Sequence, residues 1–123
     1  MESTVMHLKE NHFELIRTGQ KKVEFRLNDE KRKALKEGDF IEFQGLGDYH
    51  PIAILCEVTS VHRYYKTFSQ AVWDNLCCFI NVPTDKEARK VFVHQLVSEL
   101  QRIYPKEAIQ KYGICALRLR RKV

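Results

Sequence analysis

The sequence predicts a single α+β domain, because it combines alternating strands, a long amphipathic helix and a length that suits one core. Residues 22–27 alternate strictly between polar and apolar side chains, which is the period of a half-buried β-strand. Residues 85–104 instead carry apolar side chains at helical spacing. With 123 residues, 44% of them hydrophobic, the chain is near the commonest domain size and can bury one sizeable core.

The first half of the chain is predicted to alternate short strands with short helices. Strands are expected at residues 4–8, 22–27 and 40–43. Asn11 should cap a first helix that Gly19 ends, and Asn28-Asp29 should cap a charged helix over residues 30–36. Gly38-Asp39 then turns the chain into the strand at residues 40–43.

The second half begins with a long strand over residues 51–64, whose early part is apolar on both sides, as in the curved strand of a small barrel. Thr67 should begin a helix, and residues 76–80 should form a buried connector. A short helix over residues 106–111 and a closing strand over residues 114–119 complete the chain. The long helix should bury the apolar side chains of one face: Ala88, Phe92, Leu96, Leu100 and Ile103.

One core is expected to hold the strands together. It should contain side chains from four strands and have the long helix against its outer side: Val23, Phe25, Phe40 or Ile41, Ile54 and Leu117, with Phe92, Leu96 and Leu100.

The charge balance favours anionic partners. The chain has 21 Lys and Arg against 16 Asp and Glu, a formal net charge of +5, and RNA is the obvious partner for such an excess. No apolar run approaches the roughly 20 residues of a membrane span, and residues 1–10 contain no secretory core. We therefore expect a cytoplasmic protein that does not act at a membrane.

The four cysteines predict neither a metal site nor a disulfide. Cys56 and Cys115 lie in apolar strand patterns, as buried thiols do. The vicinal pair Cys77-Cys78 has no C-x-x-C spacing and no nearby histidine, so a zinc site is not expected there. A reducing compartment would keep all four reduced.

A short segment makes the chain recognisable. The order Gly-x-Lys-x-x-Glu-x-Arg from Gly19 to Arg26, followed by a charged segment, Gly38-Asp39 and a hydrophobic strand, resembles the ASCH family, small relatives of the PUA RNA-binding domain. The resemblance continues upstream in residues 6–16 and downstream in residues 104–114. It implies a small mixed β-barrel of the PUA-like type with helices packed outside. It also implies that Lys21, Glu24 and Arg26 lie in a cleft of that barrel.

These three residues are the candidate site. From the residues alone they could form a solvated strand face, where ion pairs contribute only about 0–1 kcal/mol. Lys21 and Glu24 are three apart and would point to opposite faces of a regular strand, so they converge only if the chain turns or bulges just after Lys21. Arg26 could then bind a phosphate or a base carbonyl, Glu24 could accept hydrogen bonds from a base, and Lys21 could neutralise phosphate.

Aromatic residues near loops are candidates for stacking on an unpaired base, although exposed tyrosines at strand ends are equally common. The candidates are Tyr49, His50, Tyr64 and Tyr65. His7 could border the cleft, whereas His12, His62 and His94 lack metal-ligand spacing and are given no role.

The favoured function is an RNA- or nucleotide-binding module without a cofactor or metal, active in RNA metabolism or translation-related regulation. The alternative is a hydrolase in the same cleft, with Lys21 and Glu24 as catalytic residues, either a ribonuclease or an enzyme similar to the ASCH 4-acetylcytidine amidohydrolases. The lysine of those amidohydrolases matches Lys21, but Glu24 stands where they have a threonine nucleophile, and their glutamate falls near Glu87. A protein-interaction domain is a third possibility, and the oligomeric state is open.

Overall fold

The computed structural model of the protein describes residues 4–49 and 52–122, and within these ranges five β-strands form one mixed sheet. The strands are β1 (Thr4–Leu8), β2 (Val23–Leu27), β3 (Phe40–Gly45), β4 (Ala53–Tyr65) and β5 (Ile114–Arg121). They lie in the order β1-β3-β4-β5-β2, with β1 parallel to β3 and every other pair antiparallel. The sheet forms a half-barrel flanked by helices, which confirms the predicted α+β class.

In the part of the chain that the structure describes, five α-helices connect or cover the strands. They are α1 (Glu10–Arg17), α2 (Glu30–Lys33), α3 (Phe68–Asp74), α4 (Lys86–Ile103) and α5 (Lys106–Tyr112), and residues 47–49 and 76–78 form short 3-10 turns. Asp29, Thr67 and Asp85 cap their helices by accepting a backbone N–H, as predicted for Asp29 and Thr67. The predicted cap at Asn11 is wrong. The helix already begins at Glu10, so the Asn11 side chain is free to donate to Glu99 instead.

The buried apolar side chains of the described residues form two cores, and the expectation of a single one is wrong. Leu117 packs in the first core with Ile41, Ile54 and residues of α1. Val23 and Phe25 belong to the second core, with α3 and α4. The strand β5 explains the division, because its successive side chains point to opposite faces and both faces are buried.

The buried face of α4 is shifted from the predicted one. Val93 and Leu100 are buried, Phe92 and Leu96 are partly buried, and Ala88 is exposed. Ile103 is exposed as well. The helix packs mainly against α3, so the stripe that is covered follows residues 93, 96, 97 and 100. Within the described ranges, no helix is long and apolar enough to cross a membrane.

The connector at residues 76–80 is only half buried. Its 3-10 turn buries Cys78 but leaves Cys77 exposed, because a tight turn directs successive side chains to different sides. Ile80, two residues after the turn, is exposed as well. All four cysteines are free thiols. Burial raises the pKa of the Cys56, Cys78 and Cys115 thiols to about 11 in each case, so none of the three is a reactive thiolate near neutral pH.

Candidate functional site

Lys21 lies in a turn between α1 and β2, not in the strand itself. Gly19 has a positive φ of 79°, which turns the chain after α1. The Lys21 backbone N–H then donates to the Leu15 carbonyl at 3.0 Å, and Lys21 forms a single bridge with Phe79. Because β2 begins only at Val23, the opposite-face rule for a regular strand does not apply, and Lys21 Nζ lies 3.3 Å from Glu24 Oε1.

Glu24 is a buried carboxylate on β2. Its exposed fraction is 5%, and its two oxygens face two cations: Oε1 faces Lys21, and Oε2 accepts from Arg26 Nε at 2.8 Å. The Lys21 side chain is itself fully buried. This face of β2 is therefore not a solvated strand face, and the interpretation of the three residues as ordinary surface charges is wrong.

Arg26 links the two edge strands of the sheet. Its guanidinium holds Glu24 on β2, and its Nη2 donates to the His7 carbonyl on β1 at 2.9 Å. Since β1 and β2 are the first and last strands in the sheet order, this side chain spans the opening of the half-barrel. Its side chain retains 13% exposure, so the guanidinium borders solvent.

His12 and Glu99 extend the charged cluster to α4. Lys21 Nζ lies 3.1 Å from His12 Nδ1, so the ammonium donates to that nitrogen and the ring proton is assigned to Nε2. His12 Nε2 lies 3.0 Å from Glu99 Oε1, within ion-pair distance, although the N–H is not directed at that oxygen as a hydrogen bond requires. A continuous row thus runs from Arg26 through Glu24, Lys21 and His12 to Glu99.

Neither His12 nor Glu99 was predicted from the sequence to belong to the site. His12 had a detectable signal, because it lies four residues before Ile16 and helical spacing places both on one face of α1, where both are buried. Glu99 had none, because only the tertiary fold brings the two residues together from positions 87 apart (99 − 12).

Electrostatics favour the charged form of Glu24 and the neutral form of His12. Burial would raise the pKa of the Glu24 carboxyl, but Lys21 and then Arg26 outweigh burial and lower the pKa. Burial and the neighbouring Lys21 lower the pKa of His12 against the opposing pull of Glu24 and Glu99. Although burial would lower the pKa of Arg26, Glu24 raises it. Glu24 is accordingly a hydrogen-bond acceptor that does not readily take up a proton.

A cavity of about 180 Å³ opens on this cluster, and we call it the first cavity. Glu24, Arg26, His7 and His12 line its polar side. Its apolar side is formed by residues of β1, the segment after β3 and the end of α4: Leu8, Leu46, Leu100, Ile103 and Tyr104. Lys21 is not part of the lining, and its link to the cavity is its contact with Glu24.

The structure describes only one side chain of the four predicted stacking residues. The side chains of Tyr49 and Tyr64, and the whole of His50, lie outside the described residues. Tyr65 is 8% exposed and belongs to the second core, so its expected role as an open platform is wrong. Tyr104, at the end of α4, was not predicted but lines the cavity.

Glu87 is not near the site. It lies in the first turn of α4, and its side chain is 78% exposed and paired with Lys90. The rise of a helix places it about 18 Å along the axis from Glu99. The carboxylate that α4 does bring to the cluster is therefore Glu99. In the part of the chain that the structure describes, no group of three or more His, Cys, Asp and Glu could hold a metal ion.

Comparison with known proteins identifies the fold. The chain is similar to the crystal structure of hypothetical protein PH0355, with a TM-score of 0.76 and 26% identity over 98% of this chain and 100% of that one. It is also similar to the solution structure of protein PF0455 from Pyrococcus furiosus, with a TM-score of 0.64 and 25% identity over 98% and 97% of the two chains.

A more distant likeness supports the same fold. A single-residue mutant of ZmASCH from Zymomonas mobilis superimposes with a TM-score of 0.58 at 12% identity, over 98% of this chain and 70% of that one. No curated protein matches the sequence significantly. The sequence model of the ASCH domain matches residues 6–120, nearly the whole chain. The protein therefore belongs to the ASCH domain family.

Proposed function

We propose that this ASCH domain binds RNA, or a nucleotide-like part of it, in the first cavity, with Glu24 and Arg26 as the contacting residues and Lys21 as the residue that holds Glu24. The observation that carries this proposal is the position of the Glu24 carboxylate and its two cationic partners. It lines a cavity while both of its oxygens are fixed by cations, so it is a charged acceptor presented in a fixed position. A role in RNA metabolism would follow from such binding.

The donors and acceptors of the cluster suit the edge of a nucleobase. Glu24 can accept from ring or exocyclic N–H groups. Arg26 uses Nε and Nη2 for Glu24 and His7, and among the described residues its Nη1 has no hydrogen-bond partner. That nitrogen is available for a base carbonyl or a phosphate oxygen. Lys9 lines the same cavity and is exposed, which adds a second positive charge for the RNA backbone.

The size of the first cavity limits what can enter it. Pockets for drug-sized ligands have volumes of about 300–1,000 Å³, and this one has about 180 Å³. It suits one planar ring with polar groups on its edge and leaves the sugar and phosphate outside. Bases can enter such a cavity only when they are unpaired, so the expected ligand is single-stranded.

The same electrostatics argue against the hydrolase alternative. A general base works best with a pKa near the working pH, whereas the pKa of Glu24 is lowered by its two cations. An amidohydrolase of the acyl-enzyme type also needs an activated hydroxyl. No Ser or Thr is among the described residues that line the first cavity.

The test of binding removes the guanidinium. Arg26→Gln should weaken the binding of single-stranded RNA oligomers by about 10- to 100-fold, because a hydrogen bond to a charged group contributes about 1.5–3 kcal/mol. Titration followed by NMR gives both the affinity and the folded state of each variant. The matched control is Arg102→Gln, an exposed arginine of α4 outside the first cavity, which makes the same change in net charge. Equal losses in the two variants would mean that the effect is bulk charge and would contradict the site.

The test of catalysis uses 4-acetylcytidine. We expect the wild-type protein to leave it intact, because Glu24 cannot serve as a hydroxyl nucleophile. Glu24→Thr restores the residue type that the amidohydrolases carry, so any gain of deacetylation should appear only in that variant. Hydrolysis by the wild type that Lys21→Ala abolishes would make the protein an enzyme instead.

A further inference from the structure

A second cavity adjoins the first and is larger. It has a volume of about 480 Å³, within the range of small-molecule sites. Its lining comes from the loop before α3, the end of α4 and the helix α5: Lys66, Thr67, Phe68, Gln101, Tyr104, Lys106, Ile109 and Gln110. Tyr104 lines both cavities and is the wall between them.

The end of α4 determines how close the two cavities are. Leu100 and Ile103 face the first cavity, and Gln101 faces the second. Neighbouring positions on a helix are about 100° apart, so the cavities lie on adjacent faces of the same helical turn. Their separation is on the order of 10 Å, the diameter of a helix with its side chains. One extended strand can enter both.

The floor of the second cavity is aromatic. The rings of Phe68 and Tyr104 stack, with centroids 5.7 Å apart and planes inclined by 30°. Phe68 is buried and anchored in the second core, which fixes the pair, while Tyr104 is only partly buried. A rigid aromatic surface that is partly open is what stacking on an unpaired base requires.

The rim supplies cations and amides. Lys66 and Lys106 are both exposed, and neither has an ion-pair partner among the described residues. No Asp or Glu belongs to the described lining, so the local charge is positive. Gln101 and Gln110 are also exposed, and their amides can donate to and accept from a base edge. Lysines for phosphate, amides for base edges and an aromatic floor together match the chemistry of a nucleotide.

We propose that the second cavity binds the nucleotide next to the one held in the first cavity, so that the domain engages two consecutive nucleotides of single-stranded RNA with Tyr104 between them. This inference rests on the proposed function. It adds to that function a second subsite, the residues that form it and a minimum ligand length of two nucleotides.

The experiment compares nucleoside monophosphates with dinucleotides. Calorimetry on the full chain would measure the affinity of the four nucleoside 5′-monophosphates and of the dinucleotides built from them. For the preferred sequence, the dinucleotide should bind at least about tenfold more tightly than the monophosphate, because a second base gains a stacking partner. A dinucleotide with an abasic second residue should lose most of that gain.

The variant is the pair Gln101→Ala and Lys106→Gln, both at exposed positions, so the fold should survive. It should remove the dinucleotide advantage and leave unchanged the Arg26-dependent binding of the monophosphate in the first cavity, whose lining contains neither residue. The control pair, Gln70→Ala and Lys86→Gln, makes the same changes at exposed positions outside both cavities and should keep the advantage.

The outcomes separate this inference from the proposed function. Monophosphate binding that depends on Arg26, without a dinucleotide advantage in the wild type, would overturn the second subsite and leave the first. An advantage that the variant pair retains, or that the abasic dinucleotide retains in full, would also overturn it. Failure of every monophosphate and dinucleotide to bind would overturn both.

Discussion

At the scale of single residues, the unusual feature is a lysine with no exposed side-chain surface. Burying a charge is costly unless it is paired and hydrogen-bonded, and Lys21 has two partners, Glu24 and His12. Glu24 also has two partners, but both are cations. The loss of one partner therefore has unequal effects on the two residues.

Removal of the Glu24 charge should be the more damaging change. In Glu24→Gln the buried ammonium keeps only neutral partners, and we expect a loss of about 3–5 kcal/mol in the free energy of unfolding. In Lys21→Met the carboxylate keeps Arg26, so the loss should be smaller. The double variant should recover part of the loss, because it no longer buries an ammonium without a carboxylate; the remaining loss reflects Arg26, which still lacks its Glu24 partner. Urea unfolding measures all three, and an equal or greater loss in Lys21→Met would contradict this account.

At the scale of elements, α4 both builds the core and closes the site. Leu100 and Val93 are buried against the second core, while Glu99 and Tyr104 of the same region reach the charged cluster and the cavity. The helix therefore couples the stability of the core to the geometry of the site. Any change that shifts α4 moves one wall of the first cavity.

The stability lost when a side chain of α4 is truncated should depend on how deeply that side chain is buried and not on its hydrophobicity alone. Leu100→Ala should lower the free energy of unfolding by about 2–5 kcal/mol, because Leu100 is buried at 3% exposure. Leu96→Ala should cost less, since Leu96 is only partly buried. Val91→Ala is the control on the same helix, because Val91 is 55% exposed and its truncation should change stability by about 0.5 kcal/mol at most. Urea unfolding measures the free energies, and an unchanged m-value checks that each variant still unfolds as one unit. A loss for Leu96→Ala as large as that for Leu100→Ala would contradict the observation that the buried face of α4 is shifted.

At the scale of the whole molecule, the buried cluster makes stability depend on pH. The pKa of His12 is lowered from 6.5 by burial and then by Lys21, and that of Glu24 is lowered from 4.5 because Lys21 and Arg26 outweigh its burial. A lowered native pKa means that the unfolded state binds more protons, so stability is lost as pH falls. The loss of stability that is due to His12 begins as pH falls through the ordinary pKa of histidine. The loss that is due to Glu24 adds to it in more acidic solution.

The contribution of His12 to the pH dependence of stability can be isolated by substitution. Between about pH 7 and about pH 5, the wild-type free energy of unfolding should fall, with His12 supplying at most about 1.4 kcal/mol per pH unit. His12→Asn removes the titrating group, so the fall should become shallower. His94→Asn, which makes the same substitution at an exposed histidine of α4, is the control for the loss of a histidine as such. A His12→Asn profile that runs parallel to the wild-type profile would show that His12 does not titrate differently on folding.

Much of the fold could be predicted from the sequence because local patterns are strong. The alternation of residues 22–27 predicts β2, Gly19 predicts the turn before it, and the caps at Asp29 and Thr67 follow from short side-chain oxygens. The fold class and the ASCH resemblance are confirmed. The division into two cores could not be predicted, because β5 is apolar on both sides and periodicity does not show which elements cover each face.

For the candidate site, the sequence by itself determined which residues carry charge and that Lys21, Glu24 and Arg26 occur in one short segment. It also determined that Lys21 precedes a strand and follows a glycine, so that convergence with Glu24 was possible. Only the tertiary structure decided that the pair is buried, that His12 and Glu99 join it, and that Tyr104 stands between two cavities. The physical reason is that burial and pKa depend on what packs over a side chain, and α1 and α4 reach this cluster from opposite ends of the chain.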